Sequence, residues 1–285
     1  MYKTIMVGYD ESQYSTAALI EAANWIKKQG GRLIIMHSVF FDTEEFGIAP
    51  EQHEKRVKHA EKICTGAKEF VTDEFGIPVS YIISEGEPPE AVAGMALEKE
   101  VDLIALGTYG RRGLKRLLMG SVTSKVVIEA PCDVLVVKRP CSECTGEYKS
   151  ILVPFDGSEF SRKALRRACL LAKTCGADVT ALYVIPRYEE LLEFFKTEAI
   201  KKSLLMEAQK IIDSVSSLAA AQGSPVRSEI AEGQAAEQII KTAKKLNSNL
   251  IVIGSYGYRG VNKAIMGSTA ERVIINAPVP VLVAR

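Results

Sequence analysis

Glycine and serine recur at one fixed spacing in two places along the chain, and this spacing suits a phosphate site. The segments GTYGRRGLKRLLMGS (107–121) and GSYGYRGVNKAIMGS (254–268) both read G-x-x-G, nine residues, then G-S. Glycine lets the backbone approach a ligand with no Cβ in the way, and consecutive N–H groups can then form a concavity that binds anions. One G-x-x-G is a weak signal, because a glycine pair is more often just a turn. Two copies at the same spacing favour phosphate binding.

Each of these segments lies between a strand-like run and a helix-like run. The apolar runs 101–106 and 250–253 precede them, and Ser121 and Ser268 would begin the helices that follow. The first amides of a helix lack intrahelical partners and point at a bound anion. A serine hydroxyl at this position can cap the helix or donate to a phosphate.

Strands and helices alternate through the first half of the chain. The strand-like runs are 2–8, 32–40, 78–84, 101–106 and 133–138, and the helical patterns extend from Glu11 or Ser12 to Lys28 and over 49–75, 90–99 and 121–129. Nearly continuous apolar strands imply a parallel sheet that is covered on both faces. The pattern therefore predicts a doubly wound α/β domain with its ligand crevice at the carboxyl ends of the strands.

The second half repeats the first, at an offset of 146 residues that later becomes 147. The matched residues include Asp10 with Asp156, Ser12 with Ser158, Ser15 with Ser161, Glu85-Gly86 with Glu232-Gly233, and Ala130-Pro131 with Ala277-Pro278. The chain is therefore predicted to be a duplicated domain. We assign residues 1–139 to the first domain, 140–147 to a linker and 148–285 to the second domain.

The composition is that of a globular protein and argues against nucleic-acid and membrane partners. Of 285 residues, 47% are hydrophobic and 25% charged, which is ordinary for a globular chain. A net charge of +1 argues against nucleic acid or an anionic membrane as a partner. No run approaches the roughly 20 apolar residues of a membrane span, and the N-terminus enters a strand at once, without a signal peptide. We therefore expect a cytoplasmic protein.

The chain has six cysteines, and their positions give different expectations. Cys64 and Cys169 fall on apolar helix faces, where they read as small core residues. Cys141 and Cys144 form a C-x-x-C in the predicted linker, which could bind zinc or act as a redox pair, although a closed zinc site needs four ligands. The alternative is a polar linker that carries two incidental thiols, and the sequence leaves their role open.

Three kinds of motif recur in both repeats: the strand starts VGYDESQYS and VPFDGSEFS, the second-strand ends MHSVF and LYVIP, and both glycine signatures. Together they resemble the universal stress proteins in their tandem two-domain form. The resemblance covers essentially the whole chain. It implies two tandem five-stranded parallel sheets of order 3-2-1-4-5, an adenine nucleotide alpha-hydrolase-like fold, with a site in each domain for ATP, or for AMP or ADP, with or without Mg²⁺.

The resemblance also implies which residues form the two sites. Asp10 and Asp156 would contact the ribose or a bound metal, since a carboxylate can accept hydroxyl hydrogen bonds or neutralise Mg²⁺. Helix capping is the alternative role of these two aspartates. Adenine would meet Val39 and Ile185, and the ribose side would be lined by Leu106, Gly107, Ile253 and Gly254. The phosphates would be held by Gly110, Gly120, Ser121 and Val122 in the first domain and by Gly257, Gly267, Ser268 and Thr269 in the second.

Two departures from the family pattern concern the rim and the second strand of each site. The family usually has proline two residues before the aspartate; the second repeat keeps it as Pro154, but the first has Gly8, so we expect a looser rim there. The family's second strand commonly ends His-Val, whereas the first repeat has His37-Ser-Val39 and the second has Tyr183-Val-Ile185.

The sequence offers little support for catalysis. It contains no Walker G-K-[ST], no kinase motif set and no convincing general base. Of the three histidines only His37 lies near a strand end, while His53 and His59 are six residues apart and read as solvated. The basic residues that could steady phosphates, or could simply be solvated, are Arg111, Arg112, Lys115, Arg116, Arg259 and Lys263.

We therefore expect no catalytic residues and no metal site, but a nucleotide-binding stress sensor or regulator with at most slow ATP hydrolysis. Its protein partner is unknown, and we expect a dimer of tandem chains. The alternatives are a scaffold that binds another small molecule or a protein partner, and a slow ATPase.

Overall fold

A computed structural model describes residues 1–40, 50–108, 119–138, 143–186, 198–255 and 266–285. Contacts between residues divide the chain into two units, Tyr2–Glu147 and Tyr148–Arg285. The described residues of each unit contain five strands. Within the described residues, no helix is long and apolar enough to cross a membrane.

The elements of both units follow the predicted alternation. The first unit contains β1 Thr4–Gly8, α1 Gln13–Gln29, β2 Arg32–Val39, α2 Pro50–Phe75, β3 Val79–Glu85, α3 Pro88–Glu98, β4 Leu103–Gly107, α4 Ser121–Glu129 and β5 Asp133–Val137. The second contains β6 Ser150–Pro154, α5 Glu159–Cys175, β7 Asp178–Ile185, α6 Glu198–Gln222, β8 Val226–Glu232, α7 Ala235–Lys245, β9 Leu250–Gly254, α8 Ser268–Asn276 and β10 Val281–Ala284.

The strand order confirms the predicted doubly wound fold. The first unit has the order β3-β2-β1-β4-β5 and the second β8-β7-β6-β9-β10, which are both 3-2-1-4-5. The pairs within each unit are parallel. In the first unit α1 contacts α2 and α3 contacts α4, and in the second α5 contacts α6 and α7 contacts α8. The central strands are almost fully buried, as the apolar runs predict.

The helix ends follow local chemistry. Ser12 caps α1 by accepting a hydrogen bond from the amide of Ser15, and Gly30, at φ 72°, ends the helix. Helix α3 begins at Pro88, two residues before the predicted start at Glu90. Proline suits the first helical positions, because its fixed φ is already helical and the N–H that it lacks would have no intrahelical partner.

Strand β4 begins two residues later than predicted, because Asp102 has another role. Its Oδ2 accepts hydrogen bonds from the amides of Lys3, at 2.9 Å, and Thr4, at 2.8 Å. In the second unit Asn249 Oδ1 accepts from Lys149 and Ser150 in the same way, at 3.1 Å each. Each side chain thereby fixes the start of the central strand at the edge opposite to the strand carboxyl ends.

The end of the predicted linker packs against α1. Asn24 Nδ2 donates to the carbonyl of Cys144 at 2.8 Å, and Lys28 Nζ donates to the carbonyl of Thr145 at 2.8 Å. Lys28 also forms an ion pair with Glu147 at 2.8 Å. A Cβ at Gly146, where φ is 60°, would lie 2.5 Å from the amide nitrogen of Trp25. This part of the linker is therefore held on the first unit.

The cysteine predictions have different outcomes. Cys64 and Cys169 are fully buried core residues, as predicted, and burial raises the pKa of both thiols, that of Cys64 to about 11. Cys144 is 4% exposed, so it is not an incidental solvated thiol. Cys141 lies outside the described residues. Among the described residues, no three or more His, Cys, Asp or Glu side chains are grouped to hold a metal ion.

Replacement of Asp102 tests the connection at the start of β1. We expect Asp102→Ala to lower the free energy of unfolding by about 1–2 kcal/mol, because two amide hydrogen bonds lose their acceptor. Asp102→Asn is the matched control, since Asn249 performs the same role, and it should cost less than half as much. Urea unfolding followed by the fluorescence of Trp25, the single tryptophan, measures both. Equal losses for the two variants would contradict the assignment.

The raised pKa of Cys64 predicts alkaline sensitivity. The unfolded thiol ionises near its ordinary pKa of 9.0, whereas the folded thiol stays protonated up to about 11. Its contribution to stability is therefore present below pH 9 and is lost as the pH rises from 9 to 11. We expect iodoacetamide to alkylate Cys64 in native protein at pH 8 at least about tenfold more slowly than in urea, as measured by peptide mass spectrometry. Equal rates would show that the thiol is accessible.

Candidate functional site

The strand order identifies the crevice in each unit. Strands β2 and β3 lie on one side of β1, and β4 and β5 lie on the other, so the order reverses between β1 and β4. Ligands of open α/β sheets bind outside the carboxyl ends of the strands at this reversal. In the first unit Asp10 follows β1 and the glycine loop follows β4. In the second, Asp156 follows β6 and the other glycine loop follows β9.

Asp10 forms a tight turn with the start of α1. Its Oδ1 accepts a hydrogen bond from the amide of Ser12 at 3.1 Å, and its own amide donates to Ser15 Oγ at 3.2 Å. Ser12, not Asp10, is the N-cap of the helix. Asp10 therefore does not cap α1, but its side chain shapes the turn that leads into it. Its carboxylate also lies at the helix N-terminus, where negative charge is favoured.

Asp156 makes the same side-chain bond in the second unit. Its Oδ1 accepts from the amide of Ser158 at 3.0 Å, and Ser158 caps α5. The residue after each aspartate has a left-handed backbone: φ is 63° at Glu11 and 79° at Gly157. Glycine adopts this conformation without strain, whereas a glutamate is uncommon there.

The predicted adenine residues lie at the ends of β2 and β7. Val39 and Ile185 are both buried. The carbonyl of Val39 accepts from the amide of Gly86 at 3.2 Å, and that of Ile185 accepts from Gly233 at 3.0 Å. Both glycines have positive φ, 125° and 141°. Each of these carbonyls therefore has one hydrogen bond already, and a base would meet it through the remaining lone pair or through apolar contact.

The glycines that end β4 and β9 are required by packing. A Cβ on Gly107 would lie 2.6 Å from the carbonyl carbon of Tyr14 and 2.7 Å from the amide nitrogen of Ser15, both in α1. A Cβ on Gly254 would lie 2.7 Å from Phe160 Cβ and 2.8 Å from its carbonyl carbon. At these two positions strand and helix backbones approach each other too closely for any side chain.

The glycines before α4 and α8 are helix N-caps that have no side chain. Gly120 and Gly267 are the N-caps, with φ of −57° and −62°, values that any residue adopts. Their amides donate to the carbonyls of Thr108 and Ser255, at 3.0 and 3.3 Å. As glycines they have no side chain to accept from the first helical amides, and neither cap makes a side-chain hydrogen bond. The first amides of these helices therefore receive no hydrogen bond from the side chain of the cap residue.

The residues that follow these two caps differ in solvent exposure and in their hydrogen bonds to the sheet. Ser121 and Ser268 are exposed, while Val122 and Thr269 are half-buried. In the first unit Thr123 Oγ1 donates to the carbonyl of Gly107 at 2.8 Å and ties α4 to the end of β4. The residue equivalent to Thr123 is Ala270, which has no hydroxyl.

The rim at Gly8 is occupied by a neighbouring side chain. A Cβ on Gly8 would lie 2.5 Å from Leu106 Cδ2, so the buried Leu106 covers this glycine. The looser rim at Gly8 stays a prediction. The second unit has the pair Pro154 and Ile253 at these positions, with Ile253 buried and Pro154 partly exposed.

The histidines differ from the sequence prediction at one position. His53 is not solvated: its Nε2 pairs with Glu85 Oε1 at 3.0 Å, and its side chain is 20% exposed. His59 is exposed, as predicted. His37 Nδ1 lies 2.7 Å from the carbonyl oxygen of Tyr9, so this nitrogen carries the hydrogen.

Part of the predicted site lies outside the described residues. This holds for Gly110, Gly257 and the basic residues Arg111, Arg112, Lys115, Arg116, Arg259 and Lys263. No role at the site was predicted from the sequence for Ser15, Thr123, Gly86 or Gly233. The signal for the serine and the two glycines was their recurrence in both repeats.

Comparison with known proteins identifies relatives over the whole chain. The profile described as the Universal stress protein family matches residues 1–138 and 147–285. Universal stress protein MJ0531 of Methanocaldococcus jannaschii is 37% identical over 140 residues, which are 48% of this chain and 82% of that protein. Universal stress protein Rv2005c of Mycobacterium tuberculosis is 27% identical over 300 residues, covering 99% of this chain and 96% of that protein.

A solved structure has the same fold. The crystal structure of a universal stress protein from Archaeoglobus fulgidus superposes with a TM-score of 0.71 at 22% sequence identity. The match covers 99% of this chain and 98% of the other.

The packing of Gly107 predicts opposite effects for two glycine substitutions. We expect Gly107→Ala to lower the free energy of unfolding of the first unit by about 1–3 kcal/mol, because the new methyl group meets the backbone of α1. Gly94→Ala is the control: Gly94 lies within α3 with nothing within 4 Å of an added Cβ, so alanine should stabilise by about 0.5–1 kcal/mol. Urea unfolding followed by Trp25 fluorescence measures both. A neutral Gly107→Ala would disprove the close contact.

Proposed function

The chain belongs to the universal stress protein family, and on this basis we propose that it is a stress-response regulator with one adenine-nucleotide site in each domain. One observation carries the proposal. In both units, a helix N-terminus opened by a glycine cap lies at the reversal of strand order that also holds an aspartate turn. A phosphate is the ligand that such a terminus favours.

The proposed phosphate contacts come from the starts of α4 and α8. The amide of Gly120 already donates to Thr108, so the amides of Ser121 and Val122 and the Ser121 hydroxyl would bind the phosphates. Ser268 and Thr269 would do so after Gly267 in the second domain. Helix α4 has no acidic residue in its first turn, so no side-chain charge there opposes an anion, whereas α8 has Glu271 in its first turn.

The proposed ribose and metal contacts come from the aspartates. One carboxylate oxygen of Asp10, and likewise of Asp156, accepts a backbone amide in the turn. A carboxylate has enough lone pairs to accept ribose hydroxyls or to contact Mg²⁺ as well. Val39 and Ile185, at the neighbouring strand ends, would contact adenine, and Leu106 and Ile253 would line the ribose side.

Further parts of the proposal concern the whole molecule. We place the protein in the cytoplasm as a dimer of tandem chains, with ATP, AMP or ADP as the ligand and a protein partner that responds to nucleotide occupancy. Hydrolysis, where it occurs, is slow. These assignments come from the family and from the nearly neutral charge of the chain.

One observation favours a second candidate function. The glycines Gly107 and Gly254 are required by strand–helix packing, without any ligand. If the other glycines of the loops were also structural, the protein would be a scaffold that binds a different small molecule or a protein partner. Ligand screening separates the two functions, because a nucleotide at about 100 times its dissociation constant stabilises the folded protein by about 2.7 kcal/mol.

Equilibrium dialysis with radiolabelled ATP and Mg²⁺ tests the nucleotide proposal. We expect two bound nucleotides per chain in the parent protein and one in Asp10→Ala or Asp156→Ala, whose altered site should weaken about tenfold or more. The double variant should bind none at the same concentration. Asp10→Asn keeps the acceptor for the amide of Ser12 but lacks the charge, so it separates loss of the turn from loss of the carboxylate.

The control for this experiment is Gly94→Ala, which should keep both sites. Absence of binding at millimolar ATP in the parent protein would reject the nucleotide proposal and leave the scaffold. Phosphate release measured on the same samples tests for hydrolysis: turnover that is lost in the double variant while binding at saturating ATP persists would make the protein an ATPase.

A further inference from the structure

The first turn of α1 contains two serines that bond to each other and to the aspartate turn. The amide of Ser15 donates to Ser12 Oγ at 3.2 Å, and the two hydroxyl oxygens lie 3.2 Å apart. Ser15 Oγ also lies 3.1 Å from the carbonyl of Ser12 and 3.2 Å from the amide of Asp10.

One assignment of hydrogens satisfies every one of these bonds. Ser15 Oγ donates its hydrogen to the carbonyl of Ser12, and it accepts from the amide of Asp10 and from the hydroxyl of Ser12. Ser12 Oγ accepts from the amide of Ser15. Ser15 thus uses its full capacity of one donor and two acceptors. A fully satisfied network of this kind holds its members in one geometry.

Ser15 is buried, at 3% exposure, so it contacts the protein and not a ligand in the crevice. Its amide nitrogen lies against Gly107, where no Cβ fits. Its hydroxyl fixes the amide of Asp10, while the amide of Ser12 fixes the carboxylate of Asp10. The main chain and the side chain of Asp10 are therefore both anchored to the first turn of α1, which is itself seated on the end of β4.

We propose that Ser15 is a positioning residue of the first nucleotide site, which acts through Asp10 by holding its main chain in the orientation that presents the carboxylate to the ligand. This inference rests on the proposed function. It assigns to a buried serine a role in affinity and not only in helix stability. If the backbone of Asp10 moves, its carboxylate keeps its charge and acceptor atoms but loses hydrogen bonds to the ligand, because small displacements weaken hydrogen bonds steeply.

Ser161 has the corresponding place in the second unit. Its amide donates to Ser158 Oγ at 3.2 Å, and its hydroxyl donates to the carbonyl of Ser158 at 3.0 Å. Because Ser161 belongs to α5, its replacement should leave the first site unchanged. It therefore provides a chemically matched control within the same chain.

A double-mutant cycle tests the proposal. All variants carry Asp156→Ala, so that only the first site binds, and the dissociation constant of a fluorescent ATP analogue is measured for the parent, Ser15→Ala, Asp10→Ala and the two combined. We expect Ser15→Ala to weaken binding about tenfold when Asp10 is present and less than about twofold when Asp10 is alanine. Its loss of stability in urea should be the same in both backgrounds.

Two controls separate positioning from a general loss of stability. Asp102→Ala destabilises the same unit at the opposite edge of the sheet and should leave the dissociation constant unchanged, as should Ser161→Ala. Ser15→Cys, which keeps the size of the side chain but is a weaker acceptor, should give an intermediate loss of affinity, and it replaces Ser15→Ala in the cycle if that variant does not fold.

The outcomes are distinguishable. Ser15→Ala with lowered stability but unchanged affinity would overturn the positioning role and leave the proposed function intact. Equal losses of affinity in both Asp10 backgrounds would overturn it too, because Ser15 would then act independently of Asp10. Absence of analogue binding in the parent would reject the proposed function, and the positioning role with it.

Discussion

The contact between the end of β4 and the first turn of α1 is the constraint on which the site depends. Gly107 lies directly against Tyr14 and Ser15, and Gly254 lies in the same way against Phe160. The aspartate turn precedes the helix in this contact, and the glycine loop follows the strand. Their separation is therefore set by backbone packing in the core, where displacement is costly. This contact fixes the end of β4 relative to the start of α1, and the end of β9 relative to the start of α5.

The alternation of apolar strands and helical patterns is sufficient to predict the architecture. A parallel strand that is covered on both faces needs apolar residues throughout, and that requirement is visible in the sequence alone. The ends of the elements are less predictable. Asp102 reads as part of a strand until its bonds to Lys3 and Thr4 are known, since these partners are about 100 residues away in sequence. Such long-range hydrogen bonds leave no local pattern.

The site is predictable in position but less so in mechanism. Asp10 and Asp156 are where the repeat predicts them, after the first strand of each unit. The sequence, however, does not show whether a glycine faces a ligand or a neighbouring helix. Gly107 is required by packing, whereas the backbone of Gly120 does not require glycine at all. The role proposed for Ser15 has no local sequence signal either, because a serine three residues into a helix resembles any other helical position.

The two units serve as comparisons for each other. Both keep the aspartate and the two serines that follow it, and both keep a glycine seated on the helix. They differ at the start of the second helix that borders the crevice, where Thr123 is bonded to the carbonyl of Gly107 and Ala270 has no hydroxyl for such a bond. The carboxylate of the aspartate accepts the corresponding serine amide in both units, while at the start of the second helix a threonine hydroxyl ties the first unit's helix to the sheet. If both crevices bind a nucleotide as proposed, this difference predicts unequal affinity at the phosphate end.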